Sequence, residues 1–470
     1  MKTHLNPFCV RNVLLLTVLI GLSFFSTPAQ TGDLENRIDD YVHAQMAKQK
    51  IPGLALALLK DGKPLVVKGY GLANVELNVP VKPETIFQSG SMGKQFTSAA
   101  VMLLVEDGKI NLEERISKYV GAVPEAWKDI TVRQILTHTS GMPNDFTDED
   151  YQRDWTEDQL LAKAKSMPLV FAPSKSWAYS NVGYVVLGIT VSKVSGKFYG
   201  DFLQERIFKP LGMITTRIIS EADIIPNRAA GYRLVKGQLK NQEWVSPTMN
   251  TTADGSLYWS VRDLVKWDAA LANGQVLKRS SWDSVYTPVK LSSGTMFPYG
   301  FGWGIGTVNG RHIIEHSGAW QGFTTNISRY IDDHITVVVL TNLAGANPVA
   351  ISHGIAELVN PDLIEKPIPD TDPAITAAHR KLLATIVAGW TVDKGLFAAE
   401  AQTALVPRIE ATRERNMSFG PIEKFDLLQR VQEGDTVRHR YLVKFKDTYA
   451  LYSVVLDKQG KITSMRISPK

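Results

Sequence analysis

Cysteine is almost absent from this sequence of 470 residues, in which Cys9 is the only one. Cys9 precedes a short apolar run instead of ending it, which is the wrong place for a cysteine that carries a lipid. If residues 1–29 are removed from the protein, no thiol remains, and disulfides and thiolate-bound metals are excluded. Internal repeats and low-complexity tracts are missing as well, which argues against a repeat architecture.

The apolar run from Val13 to Phe25 is shorter than the roughly 20 residues that a membrane-spanning helix needs. Lys2 and Arg11 supply positive charge before this run, and small residues follow it at positions 27–29. The pattern predicts a secretory signal peptide over residues 1–29, and hence a periplasmic or secreted protein with no stable membrane span after its removal. A membrane anchor is the alternative interpretation.

A strong excess of one charge sign is also missing. The chain has 52 lysines and arginines against 47 aspartates and glutamates, which gives a net charge of +5. Residues 1–29 contain two of the basic residues and no acidic one, so their removal brings the charge closer to zero. This balance is not typical of nucleic-acid binding. We therefore expect a small-molecule or peptide substrate and no nucleic-acid partner, while the oligomeric state is not indicated.

A serine and a lysine stand three residues apart at Ser91 and Lys94, where an extended pattern gives way to a helical one. Residues i and i+3 share one face of a helix, so Lys94 is expected beneath the Ser91 hydroxyl. Unpaired backbone N–H groups and a positive dipole end at a helix start suit a nucleophilic serine, and burial helps to keep a lysine neutral enough to act as its base. Alternatively, Ser91 only caps a helix and Lys94 is solvated.

Strand patterns occur at both ends of residues 30–360 and helical patterns occur between them. A helix is predicted over residues 33–49, and a hairpin over 53–70 with its turn at Asp61-Gly62. Strand patterns return after Tyr299, whereas residues 91–272 are mostly helical. These patterns predict an α/β (α+β) fold in which one antiparallel sheet is flanked by helices and carries an inserted helical region.

The end of the chain has a different pattern. Residues 361–373 contain four prolines and predict a linker. Residues 374–411 are mostly helical, and four alternating segments then predict an antiparallel meander with one buried face. Residues 374–470 are therefore predicted to form a small α+β domain. A role in binding or as a lid and a purely structural role are both open.

Two further segments combine polar groups with turns. Tyr179 and Asn181 lie two residues apart in a loop before an apolar helix, where they could face one cleft, or serve as a packed ring and a helix cap. Gly318 follows His316 at the end of a predicted strand and would allow a substrate to approach the backbone closely, and an N–H just beyond it could complete an oxyanion hole. An ordinary turn at a strand end is the alternative.

The order of these segments resembles the serine β-lactamase and penicillin-binding-protein superfamily, specifically its class C-like branch. That branch includes class C β-lactamases, D-amino-acid peptidases and β-lactamase-like esterases. The resemblance covers about residues 33–358. The matching segments are Ser91-Met92-Gly93-Lys94, the loop at 135–142, Tyr179-Ser180-Asn181, Asp254-Gly255-Ser256-Leu257 with 261–264, and His316-Ser317-Gly318.

The resemblance implies a role for each of the matching residues. Ser91 would be the nucleophile, and Lys94 and Tyr179 would transfer protons. Asn181 and His316 would hold the substrate, with Gly318 beside them. The oxyanion hole would be formed by the backbone N–H groups of two residues, Ser91 and Ala319. No metal and no organic cofactor is implied.

His316 stands where class C enzymes have a lysine, which would be a fixed cation. A histidine is mostly neutral at pH 7 and is expected to gain its proton as the pH falls toward 5.5. This difference favours peptide, amide or ester substrates over β-lactams. We therefore expect a secreted or periplasmic serine hydrolase that forms an acyl-enzyme on Ser91. A class C-like β-lactamase and a non-hydrolytic penicillin-binding sensor or scaffold are the alternatives.

Two histidine-containing segments indicate less than they first suggest. His312 to His316 matches a zinc-peptidase string, but that string works on a helix, and here the residues favour a strand. Residues four apart in a strand are about 13 Å apart, which is too far to share one zinc ion. His138 lies in one of the matching loops, where a structural hydrogen bond is the favoured interpretation.

Overall fold

A computed structural model describes residues 28–446 and 448–470. The predicted signal peptide, including Cys9, lies outside these residues, except for Pro28 and Ala29, where the first helix begins. No helix in the part of the chain that the structure describes is long and apolar enough to cross a bilayer.

Up to residue 359, strands lie mainly at the two ends of the chain and helices mainly in the middle. The first elements are helix α1 (Pro28–Gln49), strands β1 (Gly53–Lys60), β2 (Lys63–Asn74), β3 (Val79–Pro80) and β4 (Phe87–Gln88), and helix α2 (Lys94–Glu106). The middle contains α3 (Ser117–Val120), α4 (Val132–Leu136), α5 (Asp148–Tyr151), α6 (Glu157–Ser166), α7 (Asn181–Ser195), α8 (Tyr199–Leu203), β5 (Arg217–Ile218), β6 (Tyr232–Val235), β7 (Gln238–Asn241), β8 (Leu257–Trp259), α9 (Val261–Ala272) and α10 (Arg279–Val285). The last elements of this part are β9 (Val289–Lys290), β10 (Met296–Phe297), β11 (Gly304–Val308), β12 (Arg311–Trp320), β13 (Phe323–Tyr330), β14 (Ile335–Thr341) and α11 (Pro348–Val359).

A seven-stranded sheet joins the two ends of this part of the chain in the order β11-β12-β13-β14-β1-β2-β3. All of its strand pairs are antiparallel, and Leu54 pairs with Thr341 at one end of the β1–β14 contact. The predicted hairpin turn is present, with positive φ angles of 53° at Asp61 and 71° at Gly62, the backbone that a two-residue turn of this kind requires. The predicted sheet and its inserted helical region are confirmed.

Strand β1 is buried on both of its faces. Leu54, Leu56 and Leu58 belong to a core that packs against α1 and α11. The alternate residues face a second and larger core, which contains Phe96 of α2 and most of the inserted helical region. β1 therefore joins the core shared with α1 and α11 on one face of the sheet to the core that contains α2 on the other face.

A small three-stranded sheet that the sequence patterns do not predict fixes the start of α2. Its order is β4-β8-β5, so that residues 87–88 pair with 258–259. Just beyond β4, the Ser89 hydroxyl donates to the Gly255 carbonyl at 2.5 Å and accepts from the Leu257 amide at 3.0 Å. These bonds connect the turn that carries Ser91 to the loop at residues 252–256.

The C-terminal elements form a separate hydrophobic core. They are helices α12 (Pro373–Val387), α13 (Ala399–Ala411) and α14 (Arg413–Met417) and strands β15 (Ile422–Glu433), β16 (Thr436–Phe445), β17 (Tyr449–Leu456) and β18 (Ile462–Pro469). The strands form an antiparallel meander, as the sequence predicts. Along β16, His439, Tyr441, Val443 and Phe445 are buried in alternation, while Val437 is half-buried.

The predicted linker forms hydrogen bonds with both the N-terminal part of the chain and the C-terminal meander. The Asn309 side chain donates to the carbonyls of Asp362 and Ile364, at 2.9 and 3.1 Å. On the other side, Glu365 receives two hydrogen bonds from Arg440 of the meander, at 2.6 and 3.0 Å. Residues 361–373 therefore connect the two parts through defined contacts instead of forming a loose tether.

Deletion of residues 370–470 should leave a folded domain, because the C-terminal core contains no residue before Leu382. The half-exposed ion pairs that are lost, such as Lys470 with Glu357, stabilise by about 1 kcal/mol or less each. Thermal unfolding of the truncated protein should therefore remain cooperative. An unfolded or aggregated product would show that residues 30–369 do not form an independent domain.

Candidate active site

Ser91 lies in a 3-10 turn, Gly90–Gly93, that runs directly into α2. The turn begins at Gly90 with a φ of 52°, and a Cβ at that position would lie 2.4 Å from the Ala319 nitrogen. Glycine is therefore required at position 90 both by its backbone angle and by the close approach of β12. This approach brings the second predicted donor of an oxyanion hole next to the serine.

Lys94 is fully buried, with its ammonium group surrounded by three acceptors. Its Nζ donates to the Ser91 Oγ at 3.0 Å, to the Asn181 Oδ1 at 2.7 Å and to the backbone carbonyl of Asp254. An ammonium group has three protons, so each has one acceptor. The alternative in which Lys94 is solvated is wrong.

Burial lowers the pKa of Lys94 to about 8, while the carboxylates of Asp254 and Asp145 act in the opposite direction. The charged form of Lys94 loses its hydration on burial, and this free-energy cost is larger than the stabilisation that the two nearby negative charges provide. A lysine with this pKa is neutral in a useful fraction of molecules near neutral pH, and a neutral amine can accept a proton.

Tyr179 packs above the lysine. Its ring centroid is 4.8 Å from Lys94 Nζ, and the ring is 4.3 Å from that of His138. The hydroxyl is buried and has no hydrogen-bond partner among the described residues. Burial raises the pKa of Tyr179 well above 10, and the nearby Ser91 hydroxyl acts in the opposite direction. Tyr179 is therefore a neutral phenol that can donate a proton.

Asn181 lies between a cation and an anion. Its Oδ1 accepts from Lys94, and its Nδ2 donates to the Asp145 Oδ2 at 3.0 Å. The alternative in which Asn181 caps the helix is wrong, because the cap of α7 is Ser180, whose hydroxyl accepts a 2.9 Å hydrogen bond from the Gly183 amide. The structure thus places the Asn181 amide beside the predicted nucleophile and engages both of its ends.

The geometry of β12 directs the Ala319 N–H toward Ser91. Trp320 and Phe323 pair across a two-residue loop, so they exchange hydrogen bonds, and the next pair along the ladder does not. Ala319 belongs to that next pair, so its N–H points away from β13. On that side β11 pairs with β12 only as far as Glu315, so β11 does not bind the Ala319 N–H. A Cβ on Gly318 would lie 2.1 Å from the Ser89 carbonyl oxygen, which explains the glycine there.

A chain of hydrogen bonds fixes His316 in a neutral form. The His138 Nδ1 accepts from the Ser180 amide at 3.1 Å, so its Nε2 carries the proton and faces the Tyr299 hydroxyl at 3.3 Å. Tyr299 in turn donates to the His316 Nε2 at 2.9 Å, and the His316 Nδ1 donates to the Ser317 carbonyl at 2.6 Å. His138 thus has the structural role that the sequence favours.

Burial lowers the pKa of His316 to about 4, with the positive charge of Lys94 as a further cause. The expectation that His316 gains a proton between pH 8 and 5.5 is therefore wrong, because this histidine is removed from water and both of its nitrogens are engaged. It is neither a cation nor a free acceptor in this pH range.

The sequence does not indicate Tyr299 or Asp145 as members of the site, and it indicates Asp254 only as part of a matching segment. Tyr299 lies in a loop before β11, and Asp145 lies in a loop after the segment at 135–142, so neither shows a periodic pattern. The sequence does not indicate that the carboxyl group of Asp254 lies near Lys94. Each of these three residues contacts a site residue that is far away in the sequence, and local patterns do not reveal such contacts.

The zinc-peptidase string lies on strand β12, as the sequence predicts. His312 is exposed and pairs with Asp332, whereas His316 is buried in the site. Within residues 28–446 and 448–470, no group of three or more histidine, cysteine or acidic residues is arranged to hold a metal ion.

The sheet with its helical insertion and the contact between Ser91 and the buried Lys94 define a serine hydrolase of the β-lactamase and transpeptidase type. A family model described as Beta-lactamase matches residues 38–359, and the chain belongs to this family. Its predicted resemblance to the class C-like branch is confirmed.

Proteins similar to this chain include penicillin-binding proteins. Penicillin-binding protein 4* of Bacillus subtilis (strain 168) is 30% identical over 320 residues, which are 63% of this chain and 69% of that protein. Protein flp of Staphylococcus aureus (strain MW2) is 28% identical over 341 residues, 70% of this chain and 68% of that protein.

Two solved structures show the same architecture. The octameric penicillin-binding protein homologue from Pyrococcus abyssi is 26% identical, with a TM-score of 0.64, and the match covers 93% of this chain and all of that one. The D-amino acid amidase from Ochrobactrum anthropi SV3, complexed with L-phenylalanine amide, is also 26% identical, with a TM-score of 0.60 and coverage of 70% and 97%.

The pKa of Lys94 predicts the pH profile of the enzyme. If the neutral amine is the base, kcat/KM for a neutral ester such as p-nitrophenyl butyrate should rise by about tenfold per pH unit and level off near pH 8. A profile measured from pH 5.5 to 10 checks this. An activity that is already maximal at pH 6 would contradict a base with this pKa.

The pKa of His316 makes a separate prediction. Because this histidine stays neutral from pH 5.5 to 8, the ratio of kcat/KM for nitrocefin, which carries a carboxylate, to that for p-nitrophenyl butyrate should not change over that range. Both values should fall together as Lys94 is protonated. A ratio that increases as the pH is lowered would show that His316 gains its proton in this window.

Proposed function

We propose that this protein cleaves amide, peptide or ester bonds through an acyl-enzyme on Ser91. The observation that carries the proposal is the 3.0 Å contact between Lys94 Nζ and Ser91 Oγ, with two other acceptors fixed around the same nitrogen. When Lys94 is neutral, it has two protons and one lone pair. The carbonyl of Asp254 and the Oδ1 of Asn181 take the two protons, which leaves the lone pair for the Ser91 hydroxyl.

In the first half of the reaction, Ser91 Oγ attacks the carbonyl carbon of the substrate and its proton passes to Lys94. The N–H groups of Ser91 and Ala319 would stabilise the developing oxyanion, and the close approach of the Ala319 backbone to Gly90, next to Ser91, supports this role. The leaving group then departs with a proton, and the acyl group remains on Ser91.

Tyr179 is suited to deliver that proton. Its hydroxyl is buried near Ser91, has no other partner among the described residues, and stays protonated because its pKa is raised. In this scheme Lys94 returns the proton to Tyr179 as Tyr179 protonates the leaving nitrogen or oxygen. Water then attacks the acyl-enzyme with the same groups in the reverse order.

Amides and esters fit the site better than β-lactams. A carboxylate-bearing substrate gains from a fixed cation, and the neutral His316, held by Tyr299 and the Ser317 carbonyl, does not supply one. The similar D-amino acid amidase, whose structure contains L-phenylalanine amide, supports an amide substrate. The charged segment, the short apolar run and the small residues within positions 1–29 support export to the periplasm or the medium.

The replacement Ser91→Ala should abolish turnover and covalent labelling without unfolding the protein. The N-cap residues of the 3-10 turn and of α2 are Ser89 and Gly93, so Ser91 caps neither, and Lys94 keeps two of its three acceptors in the variant. Hydrolysis of p-nitrophenyl butyrate and intact-mass analysis after a fluorophosphonate probe measure the two effects. Ser418→Ala, at an exposed serine of the C-terminal part, is the matched control and should behave like the wild type.

The same measurements separate the alternatives. A single adduct on Ser91 with multiple turnovers of ester supports the hydrolase, whereas one acyl group per protein and no turnover indicates a sensor or scaffold. Nitrocefin hydrolysed faster than esters and amides would indicate a β-lactamase. Full activity of Ser91→Ala would contradict the proposed nucleophile.

A further inference from the structure

The side-chain amide of Asn181 has an oxygen end and a nitrogen end, and the site uses them differently. The Oδ1 accepts a hydrogen bond from Lys94 Nζ at 2.7 Å, and the Nδ2 donates one to the Asp145 Oδ2 at 3.0 Å. If the amide were turned by half a rotation, its oxygen would oppose the carboxylate and its NH2 group would point at the lysine. The orientation of Asn181 therefore depends on Asp145.

This orientation decides whether Lys94 can act as a base. A neutral lysine has two protons and one lone pair, and Asn181 Oδ1 and the Asp254 carbonyl accept the two protons. A reversed amide would instead donate its own N–H to the lone pair. The lone pair would then be unavailable to the Ser91 hydroxyl, so the amide supports catalysis only when its oxygen faces the lysine.

Asp145 is itself oriented by two donors on its other oxygen. The Oδ1 accepts from the Phe146 amide at 3.0 Å and also from the Tyr151 hydroxyl. A backbone N–H can only donate, and burial raises the pKa of Tyr151, so its hydroxyl keeps its proton. Because both donors bind Oδ1, the Oδ2 is left to accept from Asn181.

The loop that carries Asp145 is fixed to the start of α7. The backbone N–H of Asn181 donates to the Asn144 carbonyl at 2.7 Å, and the Ser180 hydroxyl donates to the Pro143 carbonyl at 2.7 Å. These two bonds hold the loop and the helix start together, so the carboxylate and the amide stay in register.

We propose that Asp145 is a positioning residue for the general base: by accepting the Asn181 N–H it keeps the amide oxygen on Lys94 and leaves the lysine lone pair to Ser91. In this arrangement Asn181 acts on the lysine and not on the substrate, because its Nδ2 is occupied by the carboxylate. The inference rests on the proposed function, since it matters only if neutral Lys94 takes the proton of Ser91.

Asp145→Asn should reverse the Asn181 amide. The Phe146 N–H and the Tyr151 hydroxyl both need an acceptor, so the oxygen of the new amide would face them and its NH2 group would face Asn181. Asn181 would then turn its oxygen to position 145 and its NH2 group to Lys94. The variant keeps the size of the side chain but presents a donor where the wild type presents an acceptor.

The rate at which a fluorophosphonate labels Ser91 and kcat/KM for p-nitrophenyl butyrate should both fall by roughly tenfold to a hundredfold in Asp145→Asn, because the base is misdirected. Neither compound carries an amino group, so the loss would not reflect weaker binding of a cationic substrate. Glu149→Gln, which removes an exposed acid four residues further on, is the matched control and should keep the wild-type rates. Wild-type rates in Asp145→Asn would overturn the inference.

An exchange of the two side chains tests the orientation itself. In the double variant Asp145→Asn with Asn181→Asp, the carboxylate can accept from both Lys94 and the new amide, so every donor again has an acceptor. A carboxylate in contact with Lys94 raises the pKa of the lysine, so activity should return toward pH 10 with an acid limb at higher pH than in the wild type. The other titratable groups around the lysine are unchanged, namely Asp254, His138, His316, Tyr179 and Tyr184. A double variant no more active than Asp145→Asn at any pH from 5.5 to 10 would contradict the proposed orientation.

The outcomes separate this inference from a structural role and from the proposed function. If Asp145→Asn lowers the unfolding temperature and the fraction of labelled protein together, while the labelled molecules keep the wild-type rate, Asp145 only supports the fold and the inference is wrong. If the wild type is labelled and turns over the ester, and Asp145→Asn does so equally fast, only the positioning role is wrong. If the wild type is neither labelled nor active, the acyl-enzyme mechanism is wrong and the positioning role falls with it.

Discussion

The burial of one ammonium group determines much of this structure. Lys94 has no contact with water, and an isolated charge in such a position would be very unfavourable. Its three acceptors come from three distant segments, namely the 3-10 turn at Ser91, the start of α7 at Asn181 and the loop at Asp254. Each segment must therefore be placed accurately before the lysine can be buried. The small sheet β4-β8-β5 fixes two of these segments, the turn at Ser91 and the loop at Asp254.

The same burial explains why the neighbouring groups are neutral. Tyr179, Tyr299, His138 and His316 all lose hydration, which disfavours the charged form of each group, so the phenols keep their protons and the histidines stay unprotonated. The positive charge of Lys94 adds to this effect for the two histidines. The hydrogen-bond chain from His138 through Tyr299 to His316 has one direction, because each member has a defined donor and acceptor. The result is a site in which lysine is the cation and the aromatic groups around it are polar but uncharged.

Local patterns in the sequence were sufficient for the framework and for part of the site. Short apolar runs bounded by turn residues such as Asp61-Gly62 predicted the strands on both sides of the insertion, and the spacing of Ser91 and Lys94 predicted that the lysine lies beneath the serine hydroxyl. The ionisation of His316 was not accessible from the sequence, since it depends on burial and on Tyr299, 17 residues earlier in a loop. The contact of Asp145 with Asn181 and the pairing of β4 with β8 also join segments that are distant in the chain, and local patterns do not reveal them.

The pairing of β1 with β14 has a consequence for how the chain is made. About 275 residues separate the end of β1 from the start of β14, and the core on the α1 and α11 side needs both strands. At synthesis rates of ~5–20 residues per second, the N-terminal hairpin waits roughly 15–55 s for its partner. During that time β1, whose seven residues 53–59 are all buried in the finished protein, exposes an apolar edge. Folding of this protein therefore cannot finish early in translation, because the core between the sheet and helices α1 and α11 cannot be completed until β14 has emerged.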